Sequence, residues 1–77
     1  MIELELGKLY NVRDVVKDYM PCNIKIGTCY VWKKYDFAHK NQDNGLRYLM
    51  QPLLNNMYRV HNIYNVKNDK NDENKQT

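Results

Sequence analysis

The sequence is poor in several residues that carry chemistry. Its 77 residues include no serine, three glycines that stand singly and two cysteines, and no run of 18 apolar residues occurs. Without serine there is no serine nucleophile, and single glycines do not form the glycine-rich loop that cradles a phosphate. The missing apolar run argues against a membrane span, and no basic segment followed by an apolar one indicates a secretion signal. We therefore expect a cytoplasmic protein without a membrane partner.

The cysteines and histidines are too widely spaced for a recognisable metal or catalytic site. Six residues separate Cys22 from Cys29, nine more precede His39, and 21 more precede His61. Compact zinc sites begin with ligands about two to four residues apart. A cysteine nucleophile needs a nearby histidine and a third group to orient it, and nothing in the spacing favours this. We expect two reduced thiols, no metal, no cofactor and no enzymatic activity.

A short phrase occurs twice, at 4–10 and at 24–30. Both copies read apolar, charged, apolar, glycine, two residues, tyrosine. Alternation with a period of two is typical of a half-buried strand, and a glycine inside such a run indicates a bulge or a sharp bend. Together with the later alternating segments, this predicts a mainly β fold. The predicted strands lie near 2–6, 8–16, 24–35, 46–51 and 57–66.

Two segments fit a helix as well as a strand. Within 9–20, the valines also follow a helical stripe, and Asn11 could cap that helix. Within 46–57 the apolar residues again have helical spacing, although Pro52 opposes one continuous helix because it lacks an N–H and its ring clashes with the preceding turn. The alternative fold is therefore α+β, with short helices near 11–20 and 52–58 on an antiparallel sheet.

Three segments follow one another along the chain: Gly7-Lys8-Leu9-Tyr10-Asn11-Val12, then 23–31, then Met57-Tyr58-Arg59-Val60. Their order resembles that of the strands in small SH3-like β-barrels encoded by low-GC phages. The resemblance implies about five short strands in a strongly bent barrel, and a binding platform without catalytic residues. The abundance of Asn, Lys, Tyr and Ile, all with AT-rich codons, separately predicts a gene from an AT-rich genome.

The composition divides the chain into a domain and a tail. Residues 67–77 contain no apolar side chain, so we expect a disordered polar tail after a single small binding domain at 1–66. The three lysines of the tail balance its three carboxylates, so the net charge of +3 belongs to the domain. A chain this short buries only about 60% of its unfolded surface, and a partner or a second copy would add to a thin core.

Aromatic residues alternate with lysines between Lys25 and Lys40. This pattern and the seven tyrosines favour a non-enzymatic module that docks on another protein. In its most concrete form, the hypothesis is a virus-encoded inhibitor or modulator of a host protein, such as a polymerase, a replication factor or a defence nuclease of the CRISPR type. The predicted binding residues are Tyr30, Trp32, Lys33, Lys34, Tyr35, Phe37, Lys40, Tyr48, Met57 and Tyr58.

Two other readings of the same residues stay open. In the first, Lys25, Lys33, Lys34 and Lys40 contact phosphates while Trp32 and Tyr35 stack on bases of a single-stranded nucleic acid. We favour a core position for Trp32, with the lysines simply solvated, because so small a domain needs its largest aromatic side chain inside. In the second, the thin core indicates a structural protein that assembles with copies of itself.

Overall fold

A computed structural model describes residues 2–35 and 45–66 of the chain. The predicted tail at 67–77 and the predicted binding residues Phe37 and Lys40 lie outside this part. Five antiparallel strands form one sheet in the order β1-β5-β4-β3-β2, so the predicted mainly β fold of five strands is confirmed. The elements are Leu9–Asn11 (β1), Val12–Asp18 (α1), Tyr19–Ile26 (β2), Cys29–Lys34 (β3), Leu46–Leu53 (β4), a 3-10 turn at Leu54–Asn56, and Met57–Asn65 (β5).

Most of the core lies on one face of this sheet, which we call the inner face. It contains Leu4, Val15, Tyr19, Trp32, Tyr48, Met50 and Val60, all at most 5% exposed. The helix α1 runs from β1, at one end of the strand order, to β2 at the other end. Val15 of α1 is completely buried in this core. The helix therefore covers the inner face between the two end strands.

The predicted strand at 8–16 is correct only for its first residues. The chain pairs with β5 over Leu9–Asn11 and then turns into α1. Asn11 caps the helix, because its Oδ1 accepts a hydrogen bond from the Arg13 N–H at 3.0 Å. Asp14 in the first turn and Lys17 in the last turn suit the helix dipole. The alternative prediction of a helix at 11–20 describes this segment better, although α1 ends at Asp18, ahead of Pro21.

The predicted strand at 2–6 is wrong, because residues 2–6 are not a strand and pair with none of the five strands in the described part of the chain. The alternation does place Leu4 in the core, at 5% exposure, but Leu6 is 62% exposed although the pattern predicts it inside. Lys8 N–H donates to the Glu5 carbonyl at 3.1 Å and closes a turn at 5–8. Gly7 has φ +82 in that turn, a value that favours glycine. The chain then joins β1.

The predicted single strand at 24–35 is two strands joined by a tight turn. Ile26 pairs with Cys29, leaving Gly27 and Thr28 as a two-residue loop. Gly27 has φ +61 while Thr28 does not have a positive φ, which matches a type II′ hairpin turn. A single strand over 24–35 would place Ile24, Ile26, Thr28, Tyr30 and Trp32 on one face, and the turn shows that this expectation is wrong. Tyr30 and Trp32 lie on the inner face, and Ile26 lies opposite Cys29 on the outer face.

We expect Gly27→Ala to lower the free energy of unfolding by about 1 kcal/mol, or about 4–8 °C in melting temperature. A Cβ at Gly27 meets no atom within 4 Å, so the whole cost comes from the left-handed backbone. Gly27→Asn is the matched control and should lose less, because asparagine tolerates this conformation. Thermal unfolding followed by circular dichroism measures both. Equal melting temperatures for the alanine variant and the natural chain would contradict the assigned turn.

Strand β4 continues through Pro52, and the predicted helix at 52–58 is wrong. Pro52 pairs with Tyr58 of β5, whereas the last pairing of β4 with β3 is at Met50. Pro52 thus has a strand neighbour on one side only, where a missing N–H is tolerated. The chain reverses at Leu54–Asn56, with Asn55 and Asn56 at φ +63 and +59. The strands predicted at 46–51 and 57–66 are otherwise confirmed to within two residues.

A second, smaller apolar cluster lies on the outer face. Cys29, Val31 and Leu49 are at most 8% exposed, and the half-buried Cys22 packs against them. Val31 pairs with Leu49 across β3 and β4. Both cysteines are thiols in the structure, as predicted.

Candidate functional site

The predicted binding residues that the structure describes do not form one surface. Trp32 and Tyr48 are each 5% exposed and belong to the core, so neither presents its ring to a partner. The favoured interpretation of Trp32 as a core residue is confirmed. Its ring meets Tyr58 edge-on, with centroids 5.7 Å apart. Its Nε1 has no hydrogen-bond partner in the described part of the chain. Tyr58 and Met57 are half-buried on β5.

The Lys34 side chain forms an ion pair within the protein. Its Nζ lies 2.6 Å from Glu3 Oε2, and its side chain is 20% exposed while that of Glu3 is 68% exposed. The hydrogen bond to Glu3 raises the pKa of Lys34 above its usual 10.5. Tyr19 and Tyr48 lie close by, and burial raises the pKa of each above 10.0. Lys34 therefore stays charged and bonded at neutral pH.

Among the described members of the predicted set, Tyr30 and Tyr35 are exposed, at 39% and 40%. Tyr30 faces Lys25 on β2, and the Lys25 Nζ lies 5.7 Å from the centre of its ring. This is within reach of a cation–π contact. Tyr30, a predicted binding residue, thus lies beside the cation Lys25 on the strand pair β2–β3.

A bulge in β2 shapes the surface around Tyr30. Pro21 pairs with Trp32 and Lys25 pairs with Tyr30, so three residues of β2 lie opposite the single residue Val31. Asn23, in the middle of the three, has φ +62, a conformation that asparagine tolerates better than most residues. The bulge opens a shallow pocket of about 290 Å³. Its lining residues are Pro21, Asn23, Ile24, Lys25, Tyr30 and Val31.

We call Pro21, Asn23, Ile24, Lys25 and Tyr30 the bulge surface. Ile24 is 49% exposed, and the neighbouring Ile26 is 48% exposed at the end of the same hairpin. Among the described residues that line the pocket, Lys25 is the one with a charged side chain, so the charge on this apolar surface is positive. Exposed apolar side chains with polar or charged neighbours are a common form of protein-binding surface.

Sequence reasoning missed Pro21 and Ile24 as site residues. The alternating pattern places Ile24 and Ile26 on a core face, and only the bulge and the turn at Gly27 bring them to the surface. Asn23 was the available signal, since a turn-forming residue inside an apolar run indicates a break in regular pairing.

The edge of β2 is poorly suited to pairing with another strand. β2 is last in the strand order, yet it carries Pro21, a bulge and Lys25 along its length. A missing donor, an irregular backbone and a charged side chain each discourage the addition of a strand. Contacts at the bulge surface therefore depend on side chains.

Among residues 2–35 and 45–66, no group of three or more His, Cys, Asp or Glu side chains is placed to hold a metal ion. No helix in the same part of the chain is both long and apolar enough to cross a membrane. The geometry thus offers one apolar and basic surface together with an aromatic core.

Comparison of the chain with protein-family models, curated proteins and solved structures finds no match.

Proposed function

We propose that this protein is a non-enzymatic module that binds another protein through the bulge surface. The observation that carries the proposal is the pocket of about 290 Å³ beside the half-exposed Ile24 and Tyr30. An aromatic and an aliphatic side chain next to a pocket can anchor a partner, because burying them removes apolar area from water at little cost in side-chain entropy.

The charges around the pocket indicate the chemistry of the partner. Lys25 lines it, and no carboxylate lies within residues 19–34. The partner surface should therefore be acidic around an apolar side chain that enters the pocket. Opposite charges speed association, whereas the apolar anchor slows dissociation.

Direct binding of nucleic acid is the second candidate, and fewer observations support it. Trp32 is in the core, and Lys8, Lys17 and Lys34 are each within 4.0 Å of a carboxylate of the same chain. Each paired lysine would have to leave its carboxylate to neutralise a phosphate. Few phosphate contacts give weak affinity that falls steeply with salt.

The more specific form of the proposal is a virus-encoded modulator of a host protein. It is supported by the AT-rich composition and by the resemblance to small SH3-like barrels of phages, in which binding is the usual role. A host polymerase, replication factor or defence nuclease remains the proposed class of target.

The test begins with the full chain as bait in a lysate of a low-GC bacterium, followed by affinity measurement with the purified captured protein. We expect Ile24→Asp to weaken that affinity by about tenfold or more, because it removes the anchor and adds a repelling charge. Val16→Asp is the matched control, since Val16 on α1 is also 49% exposed, and it should change affinity less than about twofold.

Two results would contradict the proposal. One is equal affinity for the Ile24→Asp and Val16→Asp variants, which would place the contact elsewhere. The other is submicromolar binding of a short single-stranded oligonucleotide that weakens with salt, at a log–log slope of about −0.7 per phosphate contact. That second result would favour the nucleic-acid candidate.

A further inference from the structure

The N-terminal segment, residues 2–6, is held by side chains in place of a strand. The Tyr19 hydroxyl donates to the Ile2 carbonyl at 3.0 Å and accepts from the Leu4 N–H at 3.2 Å. The Tyr10 hydroxyl donates to the Glu3 carbonyl at 3.1 Å and accepts from the Glu5 N–H at 2.9 Å. Each hydroxyl thus joins the carbonyl of one residue to the N–H two residues later.

This pairing has a counterpart in β-sheets. One residue of a parallel neighbouring strand serves the same two groups, a carbonyl and the N–H two residues on. Tyr10 lies in β1 and Tyr19 begins β2, so the two hydroxyls hold an extended segment across the interval between the end strands of the sheet. Such contacts recognise the backbone of a segment and do not select its side chains.

Further contacts hold the segment, and they involve the side chains of Ile2, Glu3 and Leu4, with Ile2 half-buried against the core. The Ile2 N–H donates to Asp18 Oδ2 at 3.1 Å. The Glu3 carboxylate bonds Lys34 at 2.6 Å. The Leu4 side chain enters the core and is 5% exposed. A carboxylate followed by an apolar residue is therefore the side-chain pattern that these contacts recognise.

We propose that Tyr10, Asp18, Tyr19 and Lys34 form a binding groove for an extended segment of another protein in which a carboxylate precedes an apolar residue. Residues 2–6 of this chain occupy the groove as an intramolecular competitor. The groove shares no residue with the bulge surface, so this inference does not rest on the proposed function. The incoming segment would reproduce the contacts of Ile2, Glu3 and Leu4.

Residues 2–6 compete with any incoming peptide and so lower its apparent affinity for the groove. A segment tethered by a short link acts at an effective concentration on the order of millimolar. The link here is the turn at 5–8, closed by the Lys8–Glu5 hydrogen bond and ion pair. A free peptide therefore binds the natural chain weakly, and a change that loosens residues 2–6 strengthens that binding.

The experiment uses a fluorescein-labelled peptide with the sequence of residues 2–7 and follows its fluorescence anisotropy with the full chain. We expect the Glu3→Gln chain to bind the peptide about tenfold more tightly than the natural chain, because its own segment loses the bond to Lys34. Leu4→Ala should strengthen peptide binding further. A matched peptide with alanine in place of the leucine that corresponds to Leu4 should bind the Glu3→Gln chain about tenfold less tightly.

Folding and specificity are controlled separately. Leu4→Ala removes a core side chain and can unfold the protein, whereas Glu3 is exposed, so Glu3→Gln keeps the test valid once its circular dichroism matches that of the natural chain. Combining Lys34→Gln with Glu3→Gln should reduce peptide binding, because the chain's own segment has already lost its ion pair with Lys34 while the peptide's glutamate still needs that partner. The proposal is overturned if the folded Glu3→Gln chain does not bind the peptide, or if it binds the leucine and alanine peptides equally. Neither result alters the comparison of Ile24→Asp with Val16→Asp.

Discussion

Replacing Tyr19 by alanine is expected to leave most of the protein unfolded at room temperature. Tyr19 is 1% exposed, and its ring meets Tyr48 edge-on with centroids 5.2 Å apart. Removing a buried aromatic ring costs about 3–5 kcal/mol. The variant also loses the two bonds that hold Ile2 and Leu4. Small domains have about 5–15 kcal/mol of stability in all, and one of this size belongs near the lower limit.

Two variants separate the contributions of the ring and the hydroxyl. Tyr19→Phe keeps the ring and should cost about 1–3 kcal/mol, because the buried groups of the N-terminal segment lose their partner. Tyr30→Ala, at a tyrosine 39% exposed, should cost less than about 1 kcal/mol. Urea and thermal unfolding of the four chains provide the comparison. If Tyr19→Ala melts within a few degrees of the natural chain, the assigned core is wrong.

Raising the pH is expected to destabilise the folded protein, and to unfold it at a lower pH than if all its tyrosines were exposed. Burial raises the pKa of Tyr19 and Tyr48 above 10.0, and the bond to Glu3 raises the pKa of Lys34 above 10.5. All three groups hold their protons more tightly in the folded state. The unfolded state therefore loses protons first, so the stability that these groups contribute is complete below their unfolded pKa values and is lost as pH rises through the folded ones.

The measurement is the free energy of unfolding in urea at a series of pH values from neutral to strongly alkaline. It should stay level up to about pH 9 and then fall. Tyr48→Phe removes one of the three groups and should make the fall less steep. The ultraviolet absorbance of tyrosinate should rise together with unfolding for the buried rings. A free energy of unfolding that stays constant while the exposed tyrosines ionise would contradict the proton linkage.

The parts of the fold that sequence could predict are those with a local signal. β3, β4 and β5 contain β-forming residues in alternation, and that pattern depends on near neighbours alone. The segment 12–18 fits both periods, and its helical state is decided by distant structure, because the chain must pass from β1 to β2 across the inner face. The strand pattern at 2–6 correctly predicts where Leu4 points. It could not show that Tyr10 and Tyr19 would replace a neighbouring strand.

The candidate site was harder to predict, for a related reason. Exposure of Ile24 depends on a bulge of three residues opposite one, and exposure of Tyr30 depends on where the hairpin turns. A shift of one residue in register exchanges the two faces of a strand. The pattern predicts the aromatic residues between 30 and 35 as a group. Trp32 and Tyr30 do lie on the same face of β3, but Trp32 is 5% exposed in the core whereas Tyr30, next to the hairpin turn, is 39% exposed.

The left-handed turns connect this fold with the amino-acid composition of the chain. Six described residues have a positive φ, namely the three glycines of the chain and Asn23, Asn55 and Asn56. Asparagine is among the few residues with a side chain that visit this conformation readily. Glycine codons are rich in G and C, whereas asparagine codons are rich in A and T. A gene drifting toward A and T can therefore lose glycines at such turns and keep the same chain reversals, with asparagine standing in at half of them.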